Sequence, residues 1–527
     1  MIPHLKLNDS SLPSSAIPSP RRPSTTSTSL STPPPDSNAG SFWVPTNVPN
    51  AIVENGAGLS WFVTGLFIVA DIAGGGIVAL PTSMVRFGIT LGIVNLLLMF
   101  AVCTATAVML GHCWRILLDS WPQYKDHCRK PYPEIAFRAF GPVVRTIVSA
   151  CINISQFLAA VVFLLLSSKN IQDFIKVLGG NLHFCIIVIV LAIALLPLTF
   201  LKSPQDFWGA VIIAMVTTTI AVVLLLIGIS LDSGTCVAQS HFPQLTSRNY
   251  FSALGTFLFA FGGHSAFPTI QHDMKRPAEF WKSSIVAFIM IFTMYLPVCI
   301  FGYYVYGDSI RESIINSIQR AWIQQAVNVF ITLHCILTLT IIFNPLNQEV
   351  EELCNVPHHF GWKRVAVRTG VMVAVVFVAE SVPAFESVLD FVGGTTIMLT
   401  SIVFPALFYL KLRAFETRAD IKESGGATKD AHYLDIFHYT PAWLSAIVMF
   451  IVVFGLCSGA AATYAAINNM VNFRFQTPCY VEPFIQKSAD EIAAAVVTGV
   501  TNCCGRNQDI SVNGMQCSAP DLNFYTH

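Results

Sequence analysis

Long apolar runs alternate with short polar segments along most of the chain. Eleven runs come close to or exceed the roughly 20 residues that an α-helix needs to cross a hydrocarbon layer. They cover residues 59–80, 89–110, 147–168, 183–201, 207–231, 250–270, 283–306, 322–343, 365–380, 388–410 and 443–466. Only helices and closed barrels satisfy every backbone polar group within lipid. The pattern therefore predicts an all-α integral membrane protein with 11 transmembrane helices.

Two of these runs become polar and glycine-rich before they end. The first run contains GGG at 74–76, and the sixth contains FGGHS at 261–265. A loosened backbone is tolerated at membrane depth where it is buried in protein or lines a cavity. Interrupted helices at corresponding positions of two halves point to the binding site of a transporter. Because the breaks lie five runs apart, we predict a five-plus-five inverted-repeat transporter fold with helices 1 and 6 broken.

A broken helix offers two kinds of polar group to a ligand. Its second half exposes N–H groups that suit a carboxylate, and its first half exposes carbonyls that suit an ammonium group or a cation. Amino acids, small or neutral, are thus the expected substrates. The predicted substrate-binding residues are Gly74, Gly75, Gly76, Phe261, Gly262, Gly263, His264 and Ser265. The alternative is that these small residues serve only close helix packing.

Ionisable side chains at membrane depth are costly and usually functional. Asp71 is the only acid deep within a run, three residues before Gly74, and His264 lies within the second break. We predict that both take part in proton coupling, with hydrogen bonding that shapes the breaks as the alternative. Thr338 and Thr340 are candidates for a cation site, and the nearby His334 is expected to be structural.

Charge and cysteine positions predict the orientation. With the N-terminus in the cytosol, 21 of the 30 Lys and Arg residues lie on the inner side, as the positive-inside rule requires. An odd number of spans then places the C-terminus outside the cytosol. Cys479, Cys503, Cys504 and Cys517 of the last segment and Cys236 lie on that outer side, where disulfides are permitted. The other nine cysteines are expected to be reduced.

Composition divides the chain into three parts. Residues 1–58 are Ser/Thr/Pro-rich and predict a disordered cytosolic tail, 59–466 the transporter domain, and 467–527 a cysteine-containing extracytosolic tail. Charged residues make up only 11% of the chain and the formal net charge is zero. The expected partners are therefore an amino acid substrate and the lipid bilayer, and not nucleic acid.

Several stretches carry a resemblance to the amino acid/auxin permease family, which includes proton-coupled and sodium-coupled neutral amino acid transporters. They are GGGIVALP (74–81), YPEIAFRAFGP (132–142), FAFGGHSAFPTIQHDMKRP (259–277), NPLNQEVE (344–351) and FVGGTTIMLTSIVFPALFYL (391–410). The resemblance implies an 11-helix amino acid transporter that works by alternating access. Asp71 departs from the family, since a neutral residue is expected there in most relatives.

These observations favour a secondary active amino acid transporter, with a proton as the coupling ion and no cofactor. Sodium coupling, a vesicular carrier and a non-transporting amino acid sensor of the same fold are the alternatives. An enzyme is not expected, because the common catalytic motifs H-E-x-x-H, G-x-S-x-G and G-x-x-x-x-G-K-[ST] do not occur. The membrane is expected to be the plasma membrane or a lysosomal or vesicular one.

Overall fold

The computed structural model describes residues 58–125, 128–200, 208–357, 361–423, 438–472, 478–481, 484, 499–512 and 514–520. The predicted disordered tail, apart from Gly58, and much of the C-terminal tail lie outside these residues. Within the described ranges the secondary structure is helical, with three isolated β-bridges and no longer strand.

The described residues form 15 α-helices. In chain order they are α1 (Trp61–Ile72), α2 (Gly75–Phe87), α3 (Ile89–Ser120), α4 (Pro131–Phe140), α5 (Pro142–Val177), α6 (Phe184–Leu195), α7 (Trp208–Cys236), α8 (Ser247–Ala260), α9 (Phe267–His272), α10 (Phe280–Tyr306), α11 (Ala321–Leu353), α12 (Trp362–Ser381), α13 (Phe385–Val392), α14 (Phe404–Glu423) and α15 (Ala442–Asn472).

Among the described residues, seven helices are long and apolar enough to cross a membrane, and the bent pair α1–α2 would make an eighth span. The helices at the other three predicted runs do not meet this criterion of length and hydropathy, each for its own reason. The apolar helix Phe184–Phe200 is short. The sixth run is divided between α8 and α9. The first two turns of α12 carry three basic residues, Lys363, Arg364 and Arg368. The chain is thus a multi-pass membrane protein.

Helix starts and ends follow local chemistry. Ser60 caps α1 by accepting a hydrogen bond from the Val63 amide. Pro131 and Pro142 are the first residues of α4 and α5, where the N–H that proline lacks would have no partner within the helix. Gly88, at φ +71°, joins α2 to α3 through a turn that L-residues rarely adopt. These signals fix where the helices begin and, at Gly88, where the chain turns from α2 into α3.

The two interrupted runs pack in the centre of the bundle. The first half of the first run, α1, lies against α10, and its second half, α2, lies against α8 and α10. On the other side α11 packs along α5 and α7. Tyr295, Phe288 and Ile331, on α10 and α11, are fully buried. The breaks are therefore enclosed by helices on several sides.

A π-helical stretch interrupts the tenth run between α13 and α14. It covers Gly393–Ile397 and Leu399–Val403, within the sequence FVGGTTIMLTSIVFPALFYL. A Cβ on Gly393 would overlap the carbonyl oxygen of Gly255 on α8. The small residue thus lets this stretch approach the first half of the sixth run closely, as small residues do between membrane helices.

Two disulfides, Cys185–Cys479 and Cys236–Cys504, attach the C-terminal tail to one end of the bundle, and a third, Cys503–Cys517, lies within the tail. Each uses at least one tail cysteine. The expectation that Cys185 is a reduced thiol is wrong. Cys185 is the second residue of α6, so it lies at the helix end that faces the tail and not within the apolar depth of the run.

Candidate functional site at the helix breaks

The first run breaks between α1 and α2, which are bent by 60° to one another. Gly74 precedes α2 and has no room for a side chain, since a Cβ there would overlap Nε2 of His334. Gly75 faces the ring of Phe163 on α5, where a Cβ would stand 3.4 Å from the nearest ring carbon. At this break, therefore, side chains from two other helices lie close to the glycine backbone.

The second break spans the six residues from Phe261 to Ala266, between α8 and α9. Gly263 adopts φ +153°, a conformation that L-residues rarely adopt. Gly262 lies against Ile397 of the π-helical stretch, whose side chain a Cβ on Gly262 would overlap. His264 is buried, while Gly262, Gly263 and Ser265 are half-buried.

The two breaks touch one another. A Cβ on Gly263 would stand 2.7 Å from Cγ1 of Ile72 and 2.8 Å from Oδ2 of Asp71. A Cβ on Gly76 would stand 2.7 Å from Cα of Ala260. Each contact joins a residue of one break to the helix end of the other. The structure therefore brings the predicted glycines of both runs into one place.

Tyr295, on α10, links the two helix ends at this place. Its hydroxyl lies 3.2 Å from the carbonyl oxygen of Ile72 and 3.0 Å from that of Ala260. Both oxygens belong to the last residues of the first halves, α1 and α8. Phe261 packs edge-to-face on the Tyr295 ring, with 5.5 Å between ring centroids. Tyr295 was not predicted from sequence, because a tyrosine within an apolar helix carries no local signal for this role.

Asp71 lies in the last turn of α1, half-buried, with its carboxylate beside Gly263. Within the described part of the chain no basic side chain and no hydrogen-bond donor is paired with this carboxylate. An unpaired carboxylate at this depth is stable when it is protonated or when a cationic ligand lies beside it. Asp71 thus has the position that a proton carrier or a counter-ion for an amine requires.

His264 makes its hydrogen bonds to α3 and not to Asp71. Its Nε2 lies 3.0 Å from the carbonyl oxygen of Cys103 and 3.1 Å from Oγ1 of Thr106. The ring packs on Phe267 at 4.6 Å between centroids, and Nδ1 has no hydrogen-bond partner among the described residues. These contacts tie the break to a neighbouring helix, which is the alternative role given to His264.

His334, expected to be structural, lies directly against the first break. Its Nδ1 is 2.7 Å from Oγ1 of Thr218 and 3.1 Å from the carbonyl oxygen of Ala214. Its Nε2 is 3.2 Å from Oγ1 of Thr338 and faces Gly74. Nδ1 therefore lies within hydrogen-bond distance of α7, and Nε2 within hydrogen-bond distance of a residue of its own helix, α11. The contact with Gly74 could not be read from sequence.

The structure does not bring Thr338 and Thr340 together as a cation site. Two residues apart on an α-helix, they project about 200° from one another. The Thr338 hydroxyl bonds to His334, and the Thr340 hydroxyl donates to the Leu337 carbonyl of its own helix at 2.6 Å. Neither hydroxyl is directed by its contacts toward the other.

Polar contacts close the bundle at the end where α2 terminates. Arg86 of α2 forms a salt bridge with Glu386 of α13, and both side chains are almost fully buried. Arg86 also donates to Oγ of Ser252 on α8, and Asn469 of α15 donates to the same hydroxyl at 2.8 Å. Four helices are therefore joined at this end.

At the opposite end the chain before α1 is bonded to the chain after α9. The Leu59 amide donates to the Asp273 carbonyl at 2.9 Å, and the Lys275 amide donates to the Leu59 carbonyl at 2.7 Å. Lys130, between α3 and α4, contacts Glu349 at 2.6 Å and Glu352 at 2.9 Å. These contacts use residues next to and within the motifs YPEIAFRAFGP and NPLNQEVE.

Comparison with known proteins gives a family match over most of the chain. Residues 57–458 match the model of the family described as transmembrane amino acid transporter protein. Among curated proteins of Arabidopsis thaliana, the amino acid transporter AVT1B is 23% identical over 65% of this chain and 62% of its own length. The amino acid transporter AVT1D is 25% identical over 76% of this chain and 68% of its own length.

A third relative from the same plant, lysine histidine transporter-like 4, is 24% identical over 67% of this chain and 81% of its own length. A solved structure of MhsT in complex with L-phenylalanine covers 78% of this chain and 100% of that chain, at 10% identity and a TM-score of 0.43. A TM-score of this size supports no conclusion about the site. The chain spans about 62% of the length of AVT1B.

Proposed function

The chain belongs to the transmembrane amino acid transporter family, which is not a family of enzymes, and we propose that it carries amino acids across a membrane by alternating access, coupled to protons. The observation that carries this proposal is the contact between the two breaks, in which Gly263 meets Asp71 and Ile72 and Gly76 meets Ala260. Packing alone would explain small residues, but it would not explain an unpaired acid at their meeting point.

We propose the 11-span, five-plus-five arrangement with spans 1 and 6 broken. Support comes from the helices, because every predicted run overlaps an α-helix or a pair of them. The division of residues 59–466 as the transporter domain, between tails 1–58 and 467–527, remains part of the same proposal.

The substrate is proposed to lie between the breaks. The helix α2 begins at Gly75, so its first N–H groups and the positive end of its dipole suit the carboxylate of an amino acid. The ammonium group would lie toward Asp71. The approach of Phe163 and His334 to the glycines leaves little space there, which favours small amino acids, and a neutral side chain remains the proposal from sequence.

Alternating access requires that each end of the bundle can close and open. The Arg86–Glu386 pair is the proposed closure at one end. The backbone bonds of Leu59 to Asp273 and Lys275, with Lys130 against Glu349 and Glu352, are the proposed closure at the other. Charged pairs and a few backbone bonds are contacts that can be remade in each cycle.

We assign the coupling proton to Asp71 in preference to His264. The Asp71 carboxylate is half-buried at the breaks and unpaired among the described residues, whereas the His264 Nε2 is engaged by Cys103 and Thr106. His264 is proposed to hold the second break against α3. Protonation of Asp71 would let a neutral substrate cross without an uncompensated negative charge.

The orientation proposed is a cytosolic N-terminus and an extracytosolic C-terminus. The three disulfides support it, because disulfides persist in oxidising compartments and all three lie at the end that carries the tail. That end would face the outside at a plasma membrane, or the lumen of a lysosome or vesicle.

Reconstitution into proteoliposomes tests the function. A panel of radiolabelled amino acids is offered with an imposed pH gradient, in sodium or in choline medium. We expect at least one amino acid to accumulate when the gradient is present and to stop accumulating when a protonophore removes it. Uptake that follows sodium and ignores pH would indicate the sodium-coupled alternative. Binding without flux for every amino acid would indicate a sensor.

A further inference from the structure

We propose that the hydroxyl of Tyr295 takes the place of a cation between the two helix breaks, so that the site needs no sodium there. The inference rests on the proposed function, because it concerns the ion requirement of the same site. It concerns a residue that no sequence motif marks. Tyr295 is a positioning residue in this proposal, since it acts on the helix ends.

The two carbonyls that meet Tyr295 are the groups that a cation would otherwise use. Ile72 ends α1, of 12 residues, and Ala260 ends α8, of 14 residues. A helix C-terminus carries partial negative charge, and its last carbonyls lack intrahelical donors. Carbonyls at the ends of broken membrane helices coordinate sodium in transporters built on such breaks. The partial negative charge of the two converging helix ends favours a positive partner, and the Ile72 carbonyl also accepts a hydrogen bond from the Gly74 amide at 2.9 Å.

Tyr295 supplies that partner from within the protein. Its hydroxyl oxygen lies 3.2 Å from the carbonyl oxygen of Ile72 and 3.0 Å from that of Ala260, so its one proton can be donated to either. The side chain is fully buried, and the Phe261 ring packs against it. A hydroxyl has one proton to donate, so it bridges the two ends without adding a net charge. An ion that enters the same space would have to displace the tyrosine.

The second place where a cation was expected is also taken by protein groups. Thr338 bonds to the His334 imidazole, and the imidazole faces Gly74 at the first break. Thr340 donates to the backbone of its own helix. At both places groups of the described residues already engage the oxygens that an ion would use. The two observations are independent of one another and point the same way.

The first test uses the unmodified protein and needs no substrate. Purified protein in detergent is heated in sodium chloride or in choline chloride at one pH and one ionic strength. We expect the thermal midpoint to agree within about 1 °C between the two salts, because ligand binding to the native state alone would raise it. A rise of several degrees that saturates with sodium would overturn the proposal.

The second test changes Tyr295. Tyr295→Phe removes the hydroxyl and keeps the ring, and Tyr304→Phe, on the same helix with a half-exposed ring, is the matched control. We expect transport by Tyr295→Phe to fall at least tenfold and transport by Tyr304→Phe to match the wild type. Wild-type transport by a folded Tyr295→Phe protein would show that the hydroxyl is dispensable, against the proposal.

Tyr295→Ser separates a specific from a merely structural role. It removes the ring and leaves space beside both carbonyls, so we expect this variant to acquire sodium-dependent thermal stabilisation that the wild type lacks. A folded Tyr295→Ser protein indifferent to sodium, lithium and potassium would mean that the ring only fills space, and the proposal would be wrong. If no amino acid is transported, the proposed function fails, while the midpoints still decide the role of Tyr295.

Discussion

The centre of the bundle and the end that carries the tail are held together by different forces. At the centre the two breaks meet through glycine contacts and the single hydroxyl of Tyr295. At the tail end three disulfides join residues as much as 294 positions apart. Reversible contacts suit a region that changes shape, and covalent links suit one that keeps it. The contrast assigns motion to the breaks and support to the tail.

The tail supports the loop between α10 and α11. The Asn502 amide donates to the Asn316 carbonyl at 2.8 Å, and the Gln319 side chain donates to the Asn502 carbonyl at 2.9 Å. Asp232, at the end of α7, accepts from the Gln319 amide and from the Tyr306 hydroxyl, each at 2.8 Å. Cys236, four residues after Asp232, pairs with the tail. The disulfides thus hold a hydrogen-bonded layer and not a loose segment.

The largest effect is expected at the contact between the breaks. Gly263→Leu places a side chain where Ile72 and Asp71 already lie and where φ is +153°. We expect substrate uptake to fall at least a hundredfold, to background, in proteoliposomes. Gly370→Leu is the matched control, because a Cβ at Gly370 meets no atom within 4 Å. Normal uptake by Gly263→Leu would mean that the breaks only pack.

The second largest effect is on stability, and the contacts between the two helix breaks are unchanged. Replacing Cys236 and Cys504 by serine removes one tail disulfide, a link whose typical contribution is about 2–4 kcal/mol. We expect the thermal midpoint to fall by several degrees while transport stays within twofold of wild type. Cys457→Ser, at an exposed free thiol, should change neither. If the double variant folds but loses transport, the tail takes part in the transport cycle, and the assignment of motion to the breaks and support to the tail is wrong.

A smaller effect is expected at Asp71. Asp71→Asn keeps the size of the side chain and removes its proton exchange. We expect uptake driven by a pH gradient to fall about tenfold, roughly 1.4 kcal/mol, and its dependence on pH to become flat. Exchange of internal for external substrate, which needs no net proton movement, should persist. Asp119→Asn, at an exposed end of α3, is the control, and a steep pH profile in Asp71→Asn would contradict the assignment.

The smallest effect is expected at the closure near Lys130. The hydrogen bond from Lys130 holds the pKa of Glu352 below its ordinary value of 4.5. A lowered native pKa adds stability that is present above about pH 4.5 and is lost as pH falls through the native value. Because the Glu352 side chain is 52% exposed, this contribution should be under about 1 kcal/mol.

The measurement for this pair is the thermal midpoint against pH. Glu352→Gln should lower the midpoint slightly at pH 7 and leave it unchanged below the native pKa. Glu279→Gln is the matched control, because Glu279 is another partly exposed acid that pairs with a lysine. A drop of many degrees for Glu352→Gln would make this closure a major element of stability instead of a reversible contact.

The breaks could be predicted from sequence because their cause is local. Glycine runs within an apolar stretch loosen a helix whatever its neighbours in the fold. The helix breaks at residues 74–76 and 262–263 could therefore be predicted from sequence. Tyr295 and His334 could not, because their roles depend on which backbone atoms of other helices they reach. The pairing of Cys185 was missed for a similar reason. Cys185 was counted with the membrane interior although it is only the third residue of the run 183–201, and cysteine pairing cannot be read from sequence.

The backbone bonds of Leu59 have a mechanical consequence. They fasten the chain before α1 to the chain after α9, so the two interrupted helices share an anchor at one end as well as the Tyr295 bridge at their middle. While these bonds are formed, a displacement of one interrupted helix is passed to the other, and the two move in the same direction. Opening this end breaks the Leu59 bonds and leaves the Tyr295 bridge as the described link between the two helices.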